Sequence, residues 1–222
     1  MLRLAEALVL DVKNQPETVE GGDKFAHPRH PLHNLAHPTV VFFEDDGGPL
    51  TAAFLRGLSS PSKGHGPLLA VLTPGVSTAP KTLMIPEVTL KTGDQIFTMW
   101  GHLQEATAHA IADLVVDGVI PKAEADKHLC IVQVYADPGI FDKDVAWQTA
   151  YAGTYAAGKN AWNHVADVDW MLKHLPTTYH PFGLGSVAQV VAAKADARKL
   201  LPKYFSGAAV ASIWEKPAAA AE

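Results

Sequence analysis

Short runs of apolar residues follow one another along the chain, and they predict strands separated by a few helices. The runs that favour strands are apolar and rich in β-branched or aromatic residues, and turn residues close them. They are Arg3–Val12, Thr39–Phe43, Leu68–Leu72, Thr82–Leu90 and Leu129–Tyr135. This alternation of strands and helices predicts an α+β or α/β sandwich.

Two helices are predicted in the middle of the chain. A short helix begins at Pro49, and its apolar face carries Ala52, Ala53, Phe54 and Leu58. A long helix spans about Asp94–Val116, with a stripe at helical spacing formed by Ile96, Trp100, Leu103, Ala110 and Leu114. Gly118 and Pro121 mark the end of the long helix, because glycine suits the position after a helix and proline prevents its continuation.

Two further helices are predicted towards the end. A helix near Val145–Val165 carries a stripe at four-residue intervals, formed by Trp147, Tyr151, Tyr155 and Lys159. We interpret this stripe as packing in the core or at a subunit interface, and the holding of a flat ligand is the less favoured alternative. Ser186–Leu201 predicts an amphipathic helix, and the Ala-rich segment Pro217–Glu222 is expected to be disordered.

Composition narrows the class of protein. The chain has 222 residues with 48% hydrophobic composition, enough for one domain with a core. A net charge of −5 without a cluster of basic residues argues against nucleic-acid binding. Glu6 and Asp11 interrupt the first apolar stretch and no later run approaches about 18 residues, so neither secretion nor membrane insertion is expected. Cys130 lies in an apolar run, which favours a buried thiol in a reducing compartment such as the cytoplasm.

Six ordered segments carry the chemical information that composition lacks. They are EALVLD at Glu6–Asp11, LAHPTVVF at Leu35–Phe42, PLLAVLTP at Pro67–Pro74, KTLMIPEVT at Lys81–Thr89, ADLVVDGVIPKAEAD at Ala112–Asp126 and HPF at His180–Phe182. In this order and at this spacing, the chain resembles the formaldehyde-activating enzymes over about residues 3–182. Those enzymes condense formaldehyde with tetrahydromethanopterin and release the methylene derivative and water.

The resemblance implies an architecture and a reaction class. It implies a two-layer α/β sandwich like domain 2 of ribosomal protein S5, within the α+β class, and a homopentamer with a pterin cleft between neighbouring subunits. The implied activity is that of a carbon–oxygen hydro-lyase with tetrahydromethanopterin as co-substrate, no bound cofactor and no metal. The family-like domain would cover residues 1–182, with an insertion at about 13–34, and residues 183–222 would form a helix and a disordered tail.

The resemblance also implies site residues. The family's acid is a histidine that matches His37 in the segment Ala36-His37-Pro38-Thr39. The family's substrate contacts match Leu69, Thr89 and Gln104. A histidine suits the reaction because the carbinolamine formed from formaldehyde and an amine must lose its hydroxyl as water, and imidazole, which titrates at about pH 6.5, can supply that proton.

Two positions depart from the family pattern. Thr39 stands where the family has aspartate, and Glu87 stands where it has a substrate-contacting lysine. The local charge therefore changes from about neutral to about −1. In the family the two charges are expected to lie a few ångströms apart, so we expect Thr39 and Glu87 to be coupled through the same ligand and the carrier to be held differently.

The insertion contains a repeated histidine pattern. His27, His30 and His33 form H-x-x-H-x-x-H-x-x-x-H together with His37, which is a possible metal site. Prolines within this segment favour polyproline II, which spreads three of the histidines over roughly 19 Å. A loop that covers the active-site mouth or a subunit seam is therefore favoured over a metal site.

Two other functions remain as alternatives. One is a non-catalytic homologue that binds or senses formaldehyde or a pterin, which the charge changes favour and the retention of His37 opposes. The other is a metal-binding protein that uses the His-rich insertion.

Overall fold

The computed structural model describes residues 2–7, 31–163, 168–178 and 186–204. The chain divides into two compact units, Met1–Ala166 and Asp167–Glu222, which are described separately. The predicted segments in residues 8–30, most of the His-rich insertion, the HPF segment and the Ala-rich tail lie outside the described residues.

The described strands of the first unit form one five-stranded sheet and one hairpin. In chain order they are β1 (Arg3–Glu6), β2 (Thr39–Glu44), β3 (Leu68–Leu69), β4 (Val71–Thr73), β5 (Val76–Ser77), β6 (Lys81–Pro86) and β7 (His128–Val134). The sheet has the order β1-β2-β7-β6-β3, and β4 pairs with β5. Only β6 and β7 are parallel, and the other pairs are antiparallel.

Five α-helices accompany these strands in the described part of the unit. They are α1 (Pro49–Ser59), α2 (Gly93–Thr98), α3 (Gln104–Val116), α4 (Lys122–Ala125) and α5 (Lys143–Trp162), with a π-helical turn at Met99–Leu103 joining α2 to α3. Side-chain caps begin two of them: Thr92 accepts from the backbone N–H of Gln95, and Asp142 accepts from that of Val145. Gly118, at φ +72°, follows α3 as the sequence predicts.

The two faces of the sheet have different coverings. Helices α3 and α5 cover one face, where Phe42, Met84 and Val132 lie in the main core. On the opposite face α1 covers one end through Phe54, which packs with a small cluster of Phe43, Leu83 and Leu129. The rest of this second face, called the open face below, presents the partly or fully exposed side chains of Glu6, Thr39, Val41, Ile85, Ile131 and Gln133. A mixed sheet layered with helices confirms the α+β class.

Two predicted strands are shorter than expected. The predicted strand Leu68–Leu72 is wrong because the chain changes partners at Ala70: β3 pairs with β6, and β4 pairs with β5. The predicted strand Thr82–Leu90 ends at Pro86, apart from one further ladder bond from the N–H of Glu87 to the carbonyl of Val134.

The apolar stripe of the long helix is confirmed except at Trp100. That side chain is 57% exposed, whereas Met99 is fully buried in its place. The π-helical turn explains the difference, because it changes the rotation per residue at this point of the helix. On α1, Phe54 is buried while Ala52, Ala53 and Leu58 are exposed, so most of its predicted apolar face is wrong.

The aromatic stripe of α5 packs against α3. Rings of Trp147 and Tyr151 stack with centroids 5.4 Å apart, and Tyr151 and Tyr155 follow at 6.3 Å. The hydroxyl of Tyr151 donates to Asp113 of α3 at 2.6 Å, and that of Tyr155 donates to Asp117, directly after α3, at 2.7 Å. The interpretation as core packing is confirmed for the three aromatic residues, whereas Lys159 is exposed and use at a subunit interface stays a prediction. Cys130 is fully buried as expected, and burial raises the pKa of its thiol.

The second unit is helical in its described part. It contains α6 (Val168–His174), a 3₁₀ turn at Leu175–Thr177 and α7 (Val187–Tyr204), which matches the predicted helix Ser186–Leu201 closely. Across the described residues of both units, no helix is long and apolar enough to span a membrane.

The approach of α3 and α5 gives a test of the packing. A Cβ added at Gly158 of α5 would lie 2.5 Å from a methyl of the buried Leu114, while one at Gly101 would meet nothing within 4 Å. We expect Gly158→Ala to lower the free energy of unfolding by about 1–2 kcal/mol through overpacking. Gly101→Ala should leave it unchanged or raise it by up to about 1 kcal/mol through helix propensity. Urea denaturation of the two variants checks this, and equal values for both would contradict the packing described.

Candidate functional site

Polar side chains gather where the carboxyl ends of β6 and β7 meet the start of β2. The register pairs Thr39 with Gln133, and Gln133 with Ile85. Continued by one row of the open face, it reaches the residue two positions before Thr39 on the antiparallel strand and the residues two positions after Gln133 and Ile85. That row contains His37, Tyr135 and Glu87, and the bond from Glu87 N–H to Val134 continues the ladder to it. Ends of parallel strands are common places for ligand sites. We call these three residues the polar row.

His37 lies at the β1 side of the polar row. Its Nε2 atom is 2.9 Å from Oε1 of Glu6, and 31% of its side chain is exposed. The Nε2 atom is itself buried and makes no hydrogen bond to a described residue, so Glu6 is a close acidic neighbour of the ring rather than a hydrogen-bond partner. The bond from Ala7 N–H to the carbonyl of Pro38 holds the backbone of β1 beside the same segment. His37 is therefore placed at the edge of the open face with part of its side chain exposed, while its Nε2 atom is covered.

Asp137 joins the loop after β7 to the segment that contains His33. Its Oδ1 accepts from Nδ1 of His33 at 2.6 Å and from the N–H of Gly139 at 2.7 Å, while Oδ2 accepts from the hydroxyl of Tyr135 at 2.7 Å. The ring of His33 lies so close to Gly139 that an added Cβ would meet it at 2.7 Å. The segment before His37 is thereby attached to the loop after β7.

Asn34 strengthens this attachment. Its side-chain oxygen accepts from the backbone N–H groups of Phe141 and Asp142, and its carbonyl accepts from the hydroxyl of Thr149. Asn34 is fully buried, so water does not reach its oxygen atoms. These bonds satisfy both of its oxygens and the N–H groups of Phe141 and Asp142. The backbone that leads to His37 is consequently fixed only three residues before it.

Tyr135 and Glu87 interact electrostatically. Burial, the hydrogen bond to Asp137 and the charges of Asp137 and Glu87 together raise the pKa of Tyr135 to about 12. The Tyr135 hydroxyl therefore keeps its proton across the physiological range. Glu87 itself is exposed.

Thr89 lies just beyond the polar row and is also exposed. Its hydroxyl is 2.6 Å from Nε2 of His65, and the two share a hydrogen bond. Gly64 brings the two loops together, since Leu90 N–H donates to its carbonyl and its φ of +76° suits glycine. His65 thus orients the Thr89 hydroxyl.

Leu69 and Gln104 meet at a different place. The side-chain amide of Gln104 donates to the carbonyl of Leu69 at 3.1 Å. Gln104 also borders a cleft of about 320 Å³ whose other walls are Val71–Pro74, Gly101, His102 and Glu105. This volume lies at the lower end of the range for small-molecule sites. His37 does not border this cleft.

The described chain does not bring all six predicted site residues around one point. Leu69 pairs with Leu83, four residues before Glu87, which is about 13 Å along β6. Gln104 belongs to the helix layer, on the other side of the sheet from Thr39. Thr39 and Glu87 are separated by β7, hence by about 10 Å or more, so the expectation that they lie a few ångströms apart is wrong within one chain.

The insertion is described only at its end. His33 lies in a 3₁₀ turn, Pro31–Asn34, rather than in polyproline II, and it pairs with Asp137. His27 and His30 lie outside the described residues. Within the described ranges, no group of three or more histidine, cysteine or acidic side chains could hold a metal ion.

Three residues near the polar row were not predicted from the sequence: Glu6, Tyr135 and Asp137. Tyr135 ends a predicted strand and Asp137 follows it by two positions, and polar residues at the end of a strand are a usable signal when the strand has a parallel neighbour. Glu6 could be identified only from the pairing of β1 with β2, because 31 positions separate it from His37.

The fold and the polar row define an α+β domain with a candidate site at one end of its sheet. The sequence profile of the formaldehyde-activating enzyme family (Fae) matches residues 24–183. The chain is 38% identical over 136 residues to the 5,6,7,8-tetrahydromethanopterin hydro-lyase of Methanosarcina barkeri, covering 61% of this chain and 76% of that protein. It is 39% identical over 137 residues to the bifunctional enzyme Fae/Hps of Methanothrix thermoacetophila, covering 62% of this chain and 35% of that protein.

A second bifunctional enzyme Fae/Hps, from Methanosarcina mazei, is 37% identical over 146 residues, which are 66% of this chain and 37% of that protein. The match to the bifunctional relatives thus spans about a third of their length. The chain belongs to the formaldehyde-activating enzyme family.

The hydrogen bond between Tyr135 and Asp137 can be tested by titration. Asp137→Asn removes the charge and the carboxylate acceptor that help burial to raise the pKa of Tyr135 to about 12. We expect this pKa to fall towards the usual value of about 10 in the variant. Tyrosine-selective NMR between pH 9 and about 11.5 measures the ionised fraction of Tyr135. An unchanged Tyr135 curve would show that Asp137 does not hold the hydroxyl.

Proposed function

We propose that this protein condenses formaldehyde with tetrahydromethanopterin to the methylene derivative with loss of water, as a carbon–oxygen hydro-lyase. The observation that carries the proposal is the position of His37. In a chain of this family, the histidine that matches the acid lies at the end of the sheet, beside Glu6 and partly exposed on the open face. The printed activity of the Methanosarcina barkeri relative supports the same substrate.

The reaction requires one well-placed acid. An amine of the reduced pterin attacks formaldehyde and gives a carbinolamine, whose hydroxyl must leave as water before the second amine closes the ring. We assign the donation of that proton to the ring of His37, which then recovers a proton from solvent. General acid catalysis of this kind contributes about 10²- to 10⁴-fold. These steps require only the two substrates and the side chains of the site.

We propose that the carrier contacts Thr39, Glu87 and Thr89 on one copy of the chain, and Leu69 and Gln104 on another. The separation of these two groups within one chain supports a site completed by a neighbour. A homopentamer with a domain like that of ribosomal protein S5, over residues 1–182, is the assembly that the family resemblance implies. Residues 183–222 would form an extension outside it. The cytoplasm, and a place in one-carbon metabolism or methylotrophy, stay predictions.

Glu87 favours a second candidate function. Its carboxylate takes the place of a family lysine and adds negative charge beside Tyr135. A homologue that binds formaldehyde or a pterin without turnover would tolerate this change, whereas His37 would have no task in it. The metal-binding alternative depends on His27 and His30 and stays a prediction.

His37→Asn tests the assignment of the acid. The substitution keeps a polar side chain of similar shape but removes the proton donor, so the acceleration over the uncatalysed condensation should fall by about 100-fold or more. Formaldehyde consumption in the presence of tetrahydromethanopterin, corrected for the enzyme-free rate, gives the measurement.

His109→Asn is the matched control. His109 lies on α3, where its ring faces Trp147 of α5 rather than the polar row. We expect this variant to retain the wild-type rate. A rate in His37→Asn that equals the rate of the control would exclude His37 as the acid, and sedimentation of both variants shows whether the assembly is intact.

The two departures from the family give a further test. Glu87→Lys restores the family cation, and Thr39→Asp restores its carboxylate, so the double variant should use tetrahydromethanopterin faster than wild type. If both positions contact the same carrier, the gain of the double variant should exceed the sum of the two single gains by about 0.5–3 kcal/mol. The gains are differences in activation free energy, calculated from the ratios of kcat/KM. Strict additivity would show that the positions act independently, as their separation by β7 would allow, and no gain at all would show that both substitutions are neutral.

A further inference from the structure

Tyr135 lies at the centre of the polar row, between the strands that carry His37 and Glu87. It follows the exposed Gln133 by two positions, so its ring belongs to the open face, and it is half-buried there. A ligand that contacts both neighbours has to pass over the Tyr135 side chain.

The hydroxyl of Tyr135 has a defined polarity. Its single hydrogen is donated to Oδ2 of Asp137, and it stays on the oxygen because the pKa of Tyr135 is raised to about 12. Asp137 already accepts from His33 and from Gly139 N–H, so its carboxylate acts only as an acceptor. The Tyr135 oxygen therefore offers lone pairs, and no hydrogen, to the open face.

We propose that Tyr135 is a substrate-contacting residue whose oxygen accepts a hydrogen bond from an N–H group of the reduced pterin, and that Asp137 is a positioning residue that maintains this polarity. A reduced pterin carries several N–H donors on its ring and on its exocyclic amine. An acceptor of fixed direction selects for them over a molecule that offers only acceptors at that position. The inference rests on the proposed function, which supplies the pterin.

Two other tyrosine–aspartate pairs among the described residues, Tyr151 with Asp113 and Tyr155 with Asp117, do not have this placement. Tyr155 donates to Asp117 at 2.7 Å, the same distance as in the Tyr135 pair, but it lies on α5 against α3. Removal of the Tyr155 hydroxyl breaks the same type of hydrogen bond and leaves the polar row unchanged. Tyr155→Phe is therefore a chemically matched control for Tyr135→Phe.

The first experiment compares these two variants. Both keep the ring and lose the hydroxyl, so Tyr135→Phe should fold. We expect its dissociation constant for tetrahydromethanopterin, measured without formaldehyde, to rise about three- to tenfold, with a matching rise in KM and a change in kcat of less than about twofold. Tyr155→Phe should keep wild-type values.

The second experiment separates positioning from structure. In Asp137→Asn the amide can donate to the Tyr135 oxygen, which turns the hydroxyl hydrogen towards the open face. The Tyr135 O–H and the N–H group of the pterin are then two donors that face each other. Carrier binding should weaken at least as much as in Tyr135→Phe. In the background of Tyr135→Phe, however, Asp137→Asn should add less than about a twofold loss, because its effect acts through the hydroxyl.

The outcomes distinguish the inference from the function it rests on. If wild type and Tyr135→Phe bind the carrier equally while wild type catalyses the condensation, the inference is wrong and the proposed function stands. If the effects of the two substitutions multiply in the double variant, Asp137 does not act through Tyr135 and its positioning role is overturned. If wild type neither binds the carrier nor accelerates the condensation, the proposed function fails and the inference fails with it.

Discussion

The register of three neighbouring strands, β2, β7 and β6, is the constraint on which the candidate site depends. Side chains alternate between the two faces of a sheet, so the pairing of Thr39 with Gln133 and of Gln133 with Ile85 decides which residues share the open face. A shift of one residue in β7 would exchange Tyr135 for a neighbour that now faces the core. The buried apolar residues of β7, among them Cys130 and Val132, prevent that shift because they would lose their place under α3 and α5.

The same constraint explains why the helix layer matters for a site on the opposite face. Helices α3 and α5 pack closely against each other at Leu114 and Gly158. The core that they form contains the buried side chains of Cys130 and Val132 from β7. Asn34, bonded to Phe141, Asp142 and Thr149, then ties the segment before His37 to the beginning of α5. The backbone around His37 is therefore held from both sides, by the end of β1 through the bond from Ala7 N–H to the carbonyl of Pro38 and by the start of α5 through Asn34.

The elements that the sequence predicted best are those with strong local signals. Periodicity, Gly118 and Pro121 were enough to locate the end of α3, and apolar patterns located α5 and β7 within a few residues. Partner exchange at Ala70 and the π-helical turn at Trp100 were not predicted, because each depends on tertiary contacts rather than on the local pattern. For the site, the family resemblance indicated His37, whereas the network around Asp137 joins residues about 100 positions apart and is visible only after folding.

Which carrier the protein uses tests the central claim most directly. Purified wild-type protein would be mixed with formaldehyde and either tetrahydromethanopterin or tetrahydrofolate, and formaldehyde consumption would be compared with the enzyme-free rate for each carrier. The account predicts an acceleration with tetrahydromethanopterin that grows in proportion to protein concentration and exceeds any acceleration with tetrahydrofolate. Rates equal to the enzyme-free rates with both carriers would contradict it.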